Sequence, residues 1–227
     1  MNDSFDTRRR RFAPLLLAAA ALLAGRAYAD DATLGKTLAT QGSTTGVAAC
    51  IGCHGAQGEG NAAAGFPRLA GTNAAYLSAQ LAAFADGSRQ NPVMQPLAKL
   101  LSAHERDAVS AYFASLPAPA AIAAGTASIE PANTGAWLAT RGRWSDGLPA
   151  CAQCHGAGGL GVGTAFPSLV GQPAAYIAGQ LNAWKHGTRA PGPMALMPMV
   201  AGKLSDADID AVAAYYARGG ATTGDKQ

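Results

Sequence analysis

Two copies of a five-residue pattern hold all the cysteines of this chain and two of its four histidines: Cys50-Ile51-Gly52-Cys53-His54 and Cys151-Ala152-Gln153-Cys154-His155. Two thiols separated by two residues, with an imidazole directly after the second, have the spacing that attaches c-type haem. The thiols form thioethers to the porphyrin vinyl groups and the imidazole binds iron. Two other chemistries use the same residue types. A zinc site would need the two distant pairs to converge and would leave the adjacent histidines without a purpose. A redox disulfide of thioredoxin type needs a βαβ setting, and no strand pattern surrounds either motif. The sequence therefore predicts two haem c groups, one on Cys50, Cys53 and His54 and one on Cys151, Cys154 and His155.

An iron with histidine on one side takes either a second strong ligand, which suits electron transfer, or an open position, which suits substrate chemistry. Met94 lies 40 residues after His54 and eight before Ser102; Met197 lies 42 after His155 and eight before Ser205. A thioether is a soft ligand that suits haem iron and raises its potential relative to a second imidazole. One such methionine alone reads as a flexible core filler. Recurrence at one register, in a proline-containing loop, points instead to ligation. The second loop also holds Met194 and Met199. Counting back from the Leu204-Ser205 step selects Met197, and counting forward from Gly187 selects Met194; the reading favours Met197. His104 and His186 have no counterpart in the other copy and read as solvated surface residues.

The elements that must position these groups come in duplicate. At an offset of 100, Gly35, Leu38 and Gly42 meet Gly135, Leu138 and Gly142, and Phe66-Pro67, Ala74-Ala75-Tyr76, Gln80-Leu81, Gly87 and Arg89 meet Phe166-Pro167, Ala174-Ala175-Tyr176, Gln180-Leu181, Gly187 and Arg189. After a three-residue insertion the offset is 103, pairing Leu101-Ser102 and Tyr112-Phe113 with Leu204-Ser205 and Tyr215-Tyr216. Such self-similarity means tandem copies of one unit. The boundaries expected are a targeting segment at 1–29, a first domain at 30–118, a linker at 119–132 and a second domain at 133–227. Each copy reads as helix, haem loop, helix, methionine loop, helix. Ser102 with Glu105 and Ser205 with Asp208 stand at capping-box spacing, and Leu204, Ile209, Val212 and Tyr216 follow at helical intervals. Strand signals are nearly absent, so the fold class is all-α.

Three further pairs have assignable roles. Glycine inside a helix costs about 1 kcal/mol relative to alanine, so Gly35 and Gly135 imply a close helix crossing, expected under Tyr112 and Tyr215. Pro67 and Pro167 offer a carbonyl to the second nitrogen of each ligand histidine. Arg89 and Arg189, just before each methionine loop, read either as partners that neutralise a haem propionate or as solvated surface arginines. With aromatics at only 7%, domains this small have a thin core, and the covalently bound haem is the staple that completes it.

The first 29 residues combine Arg8 to Arg11, an apolar run from Leu15 to Leu23, and Ala27-Tyr28-Ala29, the pattern of a cleaved secretory signal. An uncleaved anchor is the alternative, but the apolar run is short for a span of about 20 residues. This segment holds five of the 17 Lys and Arg and two of the 14 Asp and Glu, so residues from Asp30 onward carry 12 of each. That balance implies no basic surface for nucleic acid. The expectation is a periplasmic monomer with at most peripheral membrane association.

The series Cys-x-x-Cys-His-Gly, Phe-Pro-x-Leu-x-Gly, Ala-Ala-Tyr with Gln-Leu, Gly-x-Arg, methionine, and Leu-Ser leading to a terminal tyrosine helix resembles class I cytochrome c. Its tandem form is similar to the diheme cytochromes c4 over residues 32 to 218. The resemblance implies two cytochrome c domains related by an approximate twofold axis, with haems near the interface. It implies His/Met ligation by His54 with Met94 and His155 with Met197, and Pro67 and Pro167 as acceptors for the ligand histidines. It further implies a non-enzymatic carrier of single electrons between redox proteins, for example from the cytochrome bc1 complex to a terminal oxidase. The alternatives are an electron-transfer subunit of a periplasmic dehydrogenase and, behind it, a diheme peroxidase.

Overall fold

A computed structural model of the chain describes residues 30–122 and 134–220. The targeting segment read at 1–29 and most of the linker read at 119–132 lie outside the described residues. Among the described residues every regular element is helical, and extended chain pairs only as isolated bridges. The first domain contains α1 (residues 30–41), α2 (Ile51–His54), α3 (Ala74–Asp86), α4 (Met94–Leu100) and α5 (Ala103–Ser115). The second contains α6 (Thr134–Thr140), α7 (Cys151–His155), α8 (Ala174–Lys185), α9 (Leu196–Ala201) and α10 (Asp206–Ala217). The two motifs and the two methionine segments, read from sequence as loops, are short helices: too few residues for a periodic apolar pattern, yet long enough to close a turn.

Both capping boxes form. Ser102 Oγ accepts from the Glu105 N–H at 3.2 Å while the Glu105 carboxylate accepts from the Ser102 N–H at 2.8 Å. Ser205 and Asp208 repeat this at 3.1 and 3.0 Å. These bonds satisfy backbone donors that the first helical turn leaves orphaned and fix where α5 and α10 begin. The helices then bury one face. Leu38, Ala39, Val47, Leu101, Val109 and Phe113 form the first core, and their repeat partners Leu138, Ala139, Leu148, Leu204, Val212 and Tyr216 lie in the second. Each large apolar side chain so buried contributes about 1.5–3 kcal/mol. The second core also takes in Ile177, Leu181, Ala201 and Ile209, and Ile122, from the stretch read as linker, packs against it.

The helix crossing at Gly35 is between α1 and α5, and that at Gly135 is between α6 and α10. A Cβ on Gly35 would run into the Ala108 carbonyl oxygen, with Tyr112 Cβ next at 3.1 Å; on Gly135 it would meet the Ala211 carbonyl and then Tyr215 Cβ at 3.2 Å. Backbone carbonyl, more than tyrosine ring, fills the space that the missing side chain leaves.

The two domains meet through reciprocal contacts. Arg89 and Arg189 pair as an antiparallel bridge. Arg89 Nη2 donates to Tyr176 Oη at 2.9 Å and Gln180 Oε1 at 2.7 Å, while Arg189 Nη2 donates to Tyr76 Oη at 3.1 Å and Gln80 Oε1 at 2.8 Å. When residue i touches j′ and i′ touches j, the surfaces are related as in a twofold interface. Other contacts between the domains have no counterpart: Gln172 brackets the Arg68 backbone, accepting from its N–H at 3.0 Å and donating to its carbonyl at 2.9 Å, and the Ala190 N–H donates to the Ser88 carbonyl at 3.1 Å.

Candidate haem sites and the surface between them

Each motif folds into a turn of helix because the chain leaving it is turned back onto it. The Gly60 N–H donates to the His54 carbonyl at 2.7 Å, and the Gly161 N–H to the His155 carbonyl at 2.7 Å. Both glycines have φ near +90°, at 89° and 88°, a region that other L-residues avoid. Cys50 Sγ lies 3.8 Å from the Leu38 carbonyl oxygen and Cys151 Sγ 3.6 Å from that of Leu138, so the two motifs seat alike on their first helices. None of the four cysteines is engaged in a disulfide.

The histidines are buried, at 6% exposure for His54 and 7% for His155. Nδ1 of His54 donates to the Pro67 carbonyl at 2.9 Å, and Nδ1 of His155 to the Pro167 carbonyl at 2.7 Å. A carbonyl only accepts, so the proton sits on Nδ1 and Nε2 keeps a free lone pair, the form a metal requires. Burial lowers the pKa of both rings, against a smaller upward push from the proline carbonyls, which keeps them neutral and coordination-competent at neutral pH. Phe66 and Phe166 stand beside the two imidazoles, with ring centroids 6.1 and 6.2 Å apart; the sequence reading used them only as repeat markers.

Met94 opens α4, with its N–H held by Asn91 Oδ1 at 2.9 Å, and is half-buried. In the second domain the three candidates separate by environment. Met197, on α9, packs against the core, while Met194 is 75% and Met199 56% exposed. The inserted residues make a kink in which Met194 and Ala195 take φ of 57° and 51°. His104 is exposed and pairs with Asp31 at 2.8 Å, and His186 is exposed at the end of α8.

Arg89 and Arg189 are not solvated: they are 6% and 8% exposed. Each guanidinium stacks over an aromatic ring of its own domain, Phe84 at 4.5 Å and Trp184 at 4.0 Å, and bonds across to the other domain. Tyr76, Tyr176, Gln80 and Gln180 complete this cluster; in the sequence they stand out only as repeated residues. The signal was present, since arginine, tyrosine and glutamine recur at one register in both copies, but nothing in a repeat says which copy a side chain faces.

The donor set fits covalently held haem in both halves: a pair of cysteines two residues apart, a buried imidazole with one nitrogen committed and one open, and a downstream methionine. Comparison with known proteins agrees. Residues 32–117 match the cytochrome c family, and residues 141–215 match cytochrome c oxidase, cbb3-type, subunit III. A cytochrome c4 of Pseudomonas aeruginosa is 38% identical over 196 residues, 85% of this chain and 91% of that one. The chain belongs to the cytochrome c4 family.

Two other relatives of this cytochrome c4-family chain are named thiosulfate dehydrogenase electron acceptor. That of Stutzerimonas stutzeri is 48% identical over 208 residues, 91% of this chain and 94% of its own. That of Thiomonas intermedia is 50% identical over 173 residues, 75% of this chain and 78% of its own. Among solved structures, reduced cytochrome c4 from Pseudomonas stutzeri has a TM-score of 0.65 at 35% identity, covering 75% of this chain and 93% of that one. A thiosulfate dehydrogenase from Marichromatium purpuratum has a TM-score of 0.73 at 47% identity and covers 82% of this chain; this chain spans 40% of it. As a tandem all-α cytochrome of this family, the chain carries two covalently bound haem c groups and transfers electrons.

Proposed function

We propose that this chain accepts single electrons from a periplasmic thiosulfate dehydrogenase and passes them to a respiratory acceptor, with His54 and Met94 as axial ligands in the first domain and His155 and Met197 in the second. The observation that carries the reading is the order of similarity: 48% and 50% identity to proteins named as electron acceptors of that enzyme, against 38% to a cytochrome c4. This order supports the dehydrogenase route over transfer from the bc1 complex to a terminal oxidase, the example that the sequence reading puts first. Export to the periplasm rests on the basic, apolar and Ala-x-Ala succession of residues 8–29.

When bound, haem supplies a one-electron iron couple. The chain's own residues hold its surroundings still: the proline carbonyls fix each imidazole, and the buried faces of α5 and α10 anchor the core of each domain. Saturated coordination suits a carrier, because nothing has to bind or leave. Docking surfaces for such transient encounters are modest, below about 1,200 Å².

The test is anaerobic stopped-flow mixing of the oxidised protein with a thiosulfate dehydrogenase and thiosulfate. Reduction of both haems, dependent on enzyme and thiosulfate together, is the expected result. A protein that dithionite reduces fully and this pair leaves oxidised would overturn the assignment of donor.

A further inference from the structure

We propose that the arginine–tyrosine–glutamine cluster between the domains sets the redox potentials of both haem sites together, each charge in it acting on the opposite domain as well as on its own. The proposal rests on the two-haem carrier reading above.

The cluster is closed and shared. Gln80 Oε1 accepts from Arg89 Nη1 at 3.0 Å and from Arg189 Nη2 at 2.8 Å; Gln180 Oε1 accepts from Arg189 Nη1 at 2.9 Å and from Arg89 Nη2 at 2.7 Å. Each glutamine thus ties one arginine from each domain, and each tyrosine hydroxyl caps the arginine of the other. The guanidiniums are buried, yet all these acceptors are neutral. Among the described residues neither arginine has a carboxylate within ion-pair distance. Buried charge is normally paired, so the two guanidiniums, bound here by amides, hydroxyls and ring faces, keep the capacity to meet the haem propionates, one of the two roles that the sequence reading gives them.

That arrangement has an electrostatic consequence. A ferric centre carries one more positive charge than a ferrous one, so nearby buried cations favour the reduced state. In a low-dielectric interface the effect reaches further than at a solvated surface, and salt screens it poorly. The reciprocal contacts place the cluster alike with respect to the two halves. Arg89 stands five residues before Met94 and Arg189 eight before Met197, on the strap that leads to each methionine. A change of charge anywhere in the cluster is therefore felt in both domains.

The decisive variant is Gln180→Glu in the full-length two-haem protein. It is nearly isosteric, and it sets a carboxylate where both guanidiniums already donate, which protects folding. Tyr176→Phe is the companion: it removes one bond to Arg89 and leaves the charge unchanged. Potentiometric titration with optical readout is expected to show both haem potentials of Gln180→Glu lowered, each by about tenfold in the reduction equilibrium, or roughly 59 mV for one electron. Tyr176→Phe should move neither by as much as a third of that. Arg89→Gln, which removes a cation, should lower both as well. A Gln180→Glu protein in which only one potential falls, or neither, overturns the proposal, and so does a Tyr176→Phe shift equal to that of Gln180→Glu. Fewer than two titrating haems in the unmodified protein would instead strike at the carrier reading itself.

Discussion

Asp208 accepts from Arg143 Nη1 and Nη2 at 3.1 Å each, and the same carboxylate closes the α10 capping box by accepting from the Ser205 N–H at 3.0 Å. Burial pushes the Asp208 carboxyl up, but the bonds from Arg143 and Ser205 outweigh it and hold the group below the usual carboxylate range. Asp208→Ala should cost the second domain about 2–3 kcal/mol, combining a lost cap with a lost charge-assisted bond. A carboxyl lowered on folding contributes stability that is present above its unfolded pKa, about 4, and is lost as pH falls through the folded value. Urea melts at pH 7 and at about pH 3 should therefore show the difference between variant and parent shrinking in acid.

The Gly35 crossing makes a sharper prediction than helix propensity. Alanine in a helix is ordinarily better than glycine by about 1 kcal/mol, yet Gly35→Ala and Gly135→Ala should each destabilise, by about 1–3 kcal/mol, because the new methyl group meets a backbone carbonyl that cannot swing aside. Gly179→Ala, on α8 with nothing within 4 Å of the added atom, should gain what propensity gives. Chemical denaturation of the three variants checks the contrast.

Among the second-domain methionines, Met197→Ala should remove the near-infrared sulfur-to-iron band of one haem and lower its potential by roughly 60 mV or more. Met194→Ala and Met199→Ala should retain the band, as befits side chains 75% and 56% exposed.

Haem-free protein, made by replacing Cys50, Cys53, Cys151 and Cys154 with serine, should lose its near-ultraviolet circular dichroism. The apolar clusters of two domains this small are thin without the group they enclose. A native-like spectrum from such protein would contradict this.

Much of the site could be read from the chain because its chemistry is local. Cys50, Cys53 and His54 lie within five residues, and a duplicated copy with its own downstream methionine showed which surroundings belong to the motif. Ser102 with Glu105 and Ser205 with Asp208 were legible for the same reason, as a cap spans a single turn. What the sequence hid is long-range. Arg89 reaches Tyr176 across 87 residues, and a repeat that predicts each copy in isolation says nothing of the face where the copies meet. Met197 was separable from Met194 and Met199 only on spacing; packing against the second core distinguishes it by burial. The Gly35 crossing was legible as a crossing, but its partner, the Ala108 carbonyl, is backbone and leaves no mark in the residue types.

The most direct measurement is a redox titration of the purified full-length protein followed by optical and EPR spectroscopy. The account predicts two one-electron haem couples per chain, each with the spectroscopic signature of histidine and methionine ligation, and no rapid carbon monoxide binding to either reduced haem. A single couple, or one haem that lacks the methionine signature and binds carbon monoxide at once, would contradict it.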